Sequence, residues 1–123
     1  MFYQLIATPT EVLVWAAVLH LVADWLLQTE WMALHKTSLR HAASWAHAGV
    51  YALCMALVFP LLVAILIGLA HLLVDTRAPV HWWMRTLKGM SATAPGANVV
   101  EIGVDQSIHV IVIALAALAM PWY

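Results

Sequence analysis

Between Arg40 and Asp75 the chain runs for 34 residues without a single Asp, Glu, Lys or Arg. A soluble fold of this size has too much surface to hide so long an uncharged stretch. The rest of the chain leans the same way: 65% of its 123 residues are apolar and 9% charged, against about 45–50% and 25% in ordinary soluble domains. The excess apolar side chains therefore have to face lipid. Four membrane helices of ~20 residues need roughly 80 mostly apolar positions, which is about what this composition supplies. The expected architecture is all-α, a polytopic membrane protein built as a four-transmembrane-helix bundle. Residues 1–123 form a single membrane domain, with nothing left for a soluble one.

Local signals divide the chain. Thr8, Pro9 and Glu11 read as N-cap, first helical residue and capping-box partner, opening a first span over about 9–28. The run contains His20 and Asp24 and has no Lys or Arg before Lys36, so it reads as a retained helix rather than a cleavable signal. Residues 29–40 form a polar and aromatic connector. A second span follows over about 41–59. Pro60 then marks a reversal into a third span over 61–75, because one helix from His41 to Asp75 would be roughly 50 Å long. Pro79, His81, Trp82, Trp83 and Arg85 suggest a short interfacial helix between the third and fourth spans. Asn98 and Glu101 repeat the capping signature ahead of a fourth span over about 99–120. Trp122 and Tyr123 are expected to act as a terminal aromatic anchor. Gly49 and Gly68 are expected at close helix–helix approaches.

All five basic residues, Lys36, Arg40, Arg77, Arg85 and Lys88, fall in the first-to-second and third-to-fourth connections. The positive-inside rule makes those connections cytoplasmic and both termini extracytoplasmic. A formal net charge of −1 excludes a basic nucleic-acid footprint. The single cysteine, Cys54, excludes a disulfide framework.

On this topology the polar residues of all four spans gather in the cytoplasmic half. His20/Asp24, His71/Asp75 and Asp105/His109 are spaced i, i+4, which places each pair on one helix face. His47 stands at similar depth. Ionisable groups inside a bilayer cost several kcal/mol and need partners, and four His with three Asp and no buried Lys call for a cation. The set His20, Asp24, His47, His71, Asp75, Asp105 and His109 matches the ligand chemistry of a divalent metal, zinc first, with manganese or iron as alternatives. It is large enough for one closed site or a carboxylate-bridged pair. Asp24, Asp75 and Asp105 are the candidate catalytic carboxylates of a metal-dependent hydrolase. Lys36, Arg40, Arg77 and Arg85 are candidates for holding an anion, so a lipid headgroup or lipid-linked phosphate is the expected substrate.

Other readings stay open. The His/Asp pairs can act as structural glue in a small non-enzymatic subunit of a larger membrane complex or homo-oligomer. They can pass protons or metal ions in a carrier component, although the apolar outer half argues against a continuous path. Two opposed histidines can hold a haem, although the adjacent carboxylates do not suit it.

The strings HLVADWLLQTEWMALHK (His20 to Lys36), AHLLVDTR (Ala70 to Arg77) and VDQSIHV (Val104 to Val110), with His41 and His47 between them, resemble the motifs of a bacterial and phage membrane family catalogued as domain of unknown function 3307. The resemblance covers nearly the whole chain. It implies a multi-pass protein of the bacterial inner (cytoplasmic) membrane and no particular activity. The family pattern places a Lys soon after the Asp of AHLLVDTR, Asp75, where this chain has Arg77. A weaker, compositional likeness links the His/Asp content to small inner-membrane metal-dependent hydrolases.

Overall fold

A computed structural model describes residues 8–122. The expected anchor residue Tyr123 lies outside them, as does the side chain of Trp122. Among these residues every regular element is helical: α1 (Pro9–Leu21) running on into a π-helical turn (Val22–Leu26), α2 (Glu30–His35), α3 (Ala42–Met55), α4 (Leu61–Asp75), α5 (Ala78–Thr86), α6 (Ala97–Leu118) and a 3-10 turn (Met120–Trp122).

The helix ends follow from local chemistry. Thr8 and Glu11 form the reciprocal capping box in front of Pro9. Pro60 disfavours helix at Phe59, and the chain tightens into a turn, with the Val58 and Phe59 N–H groups both donating to the Met55 carbonyl. The helix expected over 41–59 therefore stops at Met55. At the end of α4, Arg77 adopts a left-handed φ of 67°, the position where glycine usually ends a helix. This reverses the chain into α5, which is bent 59° from α4. The capping signature at Asn98 is not used. The helix begins at Ala97 behind a left-handed Gly96, and Glu101 turns instead to Arg77 and His81.

The helix α3 packs along α4, α1 packs against α3, α6 against α4, and α1 and α6 close the bundle against each other. At one end Val12, Ala16, Met55, Phe59, Ala64, Ile113 and Ala117 form a fully apolar core. At the other end Val74, Val80, Met84 and Ala97 join α4, α5 and α6. The outside is apolar as well: Leu53 is 71% exposed and Leu62 69%, a surface suited to lipid rather than water. Pro9–Leu26 and Ala97–Leu118 are each long and apolar enough to cross a membrane, and α4 with α5 makes a third candidate if the bent pair is one span. Alone, α3 is about 21 Å long and α4 about 22 Å, short of a ~30 Å hydrocarbon core.

Candidate metal centre

Seven polar side chains are buried among the described residues: His20, Asp24, Ser44, His47, His71, Asp75 and His109. Six of them come from four helices and meet beside the apolar core, with Tyr51 stacked on His71 at the boundary. Ser44 ties α3 to the preceding connector, donating to the carbonyls of His35 and Ser38.

Four side chains converge on one point. His47 Nε2 lies 3.0 Å from Asp24 Oδ1 and 3.3 Å from Asp75 Oδ2. His71 Nε2 lies 3.8 Å and 2.9 Å from the same two oxygens. The two Nε2 atoms are 2.9 Å apart. A tetrahedral zinc ion with N and O ligands at about 2.0–2.1 Å requires ligand–ligand separations of about 3.3 Å, and these separations bracket that value. The donor and acceptor inventory points the same way. Each Nε2 lies beside carboxylate oxygens, which only accept, yet two N–H groups cannot point at each other across 2.9 Å. A cation at the centre removes the conflict, because both imidazole lone pairs and both carboxylates then face it.

The placement of Asp24 depends on the π turn. The Leu27 N–H bonds back to the Val22 carbonyl, so the last turn holds one residue more than an α-helix would, as π-bulges at functional sites do. His20 and Asp24 both face Gln106 on α6, as a same-face pair does, but take different partners on α3. Asp24 reaches His47 on α3, while His20 turns deeper. Its Nδ1 is 2.8 Å from the Tyr51 hydroxyl and its Nε2 2.8 Å from Gln106 Oε1. With both nitrogens engaged, His20 belongs to neither ligand group and supports the site from behind.

Gln106 is the residue the sequence reading missed. Its amide nitrogen donates to Asp24 Oδ2 at 2.9 Å and to Asp105 Oδ2 at 3.0 Å, which leaves its carbonyl oxygen to accept from His20. The signal was available: a Gln in an apolar span needs partners as much as an Asp does. Lys36 was misread. It sits with an 11%-exposed side chain, 3.5 Å from Asp24 Oδ1 and 3.7 Å from Asp75 Oδ2, so the centre does contain a lysine, part-buried. Its ammonium balances two carboxylates and is not free to hold a substrate anion. Arg77 is likewise committed, to Glu101. Of the four expected anion-binding residues only Arg40 and Arg85 remain exposed.

A second group lies alongside. Asp75, Asp105 and His109 each offer a ligand atom within 4.8 Å of the others. Two of the histidine pairs do not suit a haem: the 2.9 Å between His47 and His71 leaves no room for a porphyrin, and His20 and His109 are stacked rather than opposed.

The family model described as a protein of unknown function (DUF3307) matches residues 12–123. No curated protein and no solved structure matches the chain. The helical hairpin and the His/Asp centre are thus the architecture of a chain that belongs to the DUF3307 family.

Proposed function

We propose that the protein is a four-span metalloprotein of the bacterial inner membrane that holds a divalent ion, zinc by its donor set, between Asp24, His47, His71 and Asp75. The observation that carries this reading is the set of separations among four buried ligand atoms, with the two facing Nε2 atoms at its centre. The exposed apolar faces of α3 and α4 support a membrane-embedded hairpin beside the two longer helices, the lipid thinning locally around them. The basic connections face the cytoplasm by the positive-inside rule, both termini lying outside. The fully apolar core beyond Tyr51 disfavours a continuous proton or ion path within one chain.

A metal-dependent hydrolase acting on a lipid headgroup or lipid-linked phosphate is the finer form of this reading. A bound divalent ion supplies Lewis acidity and lowers the pKa of water. The chain orients the ligands, excludes water behind them and holds Lys36 beside the carboxylates.

Elemental analysis of protein purified without chelator tests the reading. Wild type carries at least about one equivalent of divalent metal. His71→Ala loses it while circular dichroism stays helical. His81→Ala, whose imidazole is half exposed beside Glu101, retains it. Absence of stoichiometric metal from wild type, or equal loss in the His81 variant, overturns the proposal.

A further inference from the structure

Asp75 uses only one of its oxygens in the first centre. Its Oδ1 points the other way, towards α6, and stops 3.6 Å from His109 Nε2. Both side chains are 2% exposed, and neither atom has a hydrogen-bond partner.

The tautomer of His109 is fixed by its other nitrogen. Nδ1 lies 2.7 Å from the Asp105 backbone carbonyl, which only accepts, so Nδ1 carries the proton and Nε2 presents a lone pair. A carboxylate oxygen also presents only lone pairs. Two acceptors thus face each other in a buried space with no donor between them, too far apart for a hydrogen bond and at about the separation of two ligands on one metal ion. An N–H committed to a backbone carbonyl is also the usual support behind a metal-bound imidazole. Asp105 completes the group from the same helix, its Oδ2 held by Gln106.

We propose that Asp75, Asp105 and His109 hold a second divalent cation, with the Asp75 carboxylate bridging it to the first. This rests on the metal reading of the first centre and extends it. Asp75 would serve both groups, offering one oxygen to each, and two ions held side by side would clamp an oxygen ligand between them. The two sites differ in kind. Four protein ligands close the first, whereas three leave the second with an open position, the arrangement of a catalytic rather than a structural ion. Charge indicates what enters it. With neutral imidazoles, Asp24, Asp75, Asp105 and Lys36 carry a formal −2 together. Two divalent ions turn this into +2, so the open position takes an anionic oxygen ligand of the phosphate class.

Titration of metal-free, full-length protein in detergent with Co2+, followed by visible absorption, tests the second site. Wild type should saturate at about two equivalents, and His109→Gln at about one. If His109→Gln does not fold by circular dichroism, Asp105→Asn provides the same readout from a less buried position. Saturation of wild type at one equivalent removes the second site and leaves the first standing. Two equivalents in a folded His109→Gln or Asp105→Asn protein also overturns the second site. No cobalt binding in wild type overturns both.

Discussion

Lys36 lies part-buried beside the centre and shares its two carboxylate oxygens with the proposed ion. Removing one partner of a buried ion pair is strongly destabilising, by about 3–5 kcal/mol, because the other charge is left unbalanced. Lys36→Met should therefore lower the stability of chelated protein by about that amount, and cost much less when a divalent ion is present to balance Asp24 and Asp75. Unfolding in detergent with chelator and with zinc measures the difference. Equal losses in the two conditions would mean that no ion reaches these oxygens. The residues around Lys36 show what a sequence makes visible. His47, His71, Asp75 and His109 stand out because an ionisable group in an apolar run is expensive and needs a reason. Lys36 does not, because its role depends on a six-residue helix folding back over the bundle end. The tautomer of His109 does not either, since it is written in a backbone contact.

Among the elements, the approach of α3 to α4 decides whether His47 and His71 meet. Gly68 permits it. A Cβ there would lie 2.8 Å from Ala52 Cβ and 3.3 Å from the Ala48 carbonyl oxygen, one turn from the two imidazoles. Gly68→Ala should force the helices apart, costing about 1–3 kcal/mol, and weaken metal binding about tenfold or more by stretching the ligand set. Gly49→Ala is the control. The sequence suggested a close approach at Gly49, but nothing lies within 4 Å of its added Cβ. That change should be neutral or slightly stabilising, as alanine favours helix by about 1 kcal/mol. Melting curves and metal titrations of the two variants check this, and matching behaviour would contradict the packing argument. The same scale explains the role of His20. It shares a face with Asp24, but meets α3 one turn deeper, at Tyr51 rather than at His47, and both its nitrogens are taken. Helix ends governed by proline or a capping box were legible, as at Thr8 and Pro60. The left-handed reversals at Arg77 and Gly96 were not, because neither residue type dictates that conformation by itself.

At the scale of the molecule, one end of the described bundle is apolar, and beside it four helices contribute carboxylates and imidazoles to a shared centre. The all-helical character and the convergence of the His/Asp residues follow from hydropathy and the cost of burying charge. The division of the centre into two ligand groups sharing Asp75 requires the three-dimensional arrangement. The central claim is that Asp24, His47, His71 and Asp75 surround a metal ion. X-ray absorption at the zinc edge, on protein loaded with a single equivalent of zinc, tests it most directly. The account predicts four N/O neighbours at about 2.0–2.1 Å, with outer-shell scattering from two imidazoles. A six-coordinate oxygen shell without imidazole scattering would contradict it.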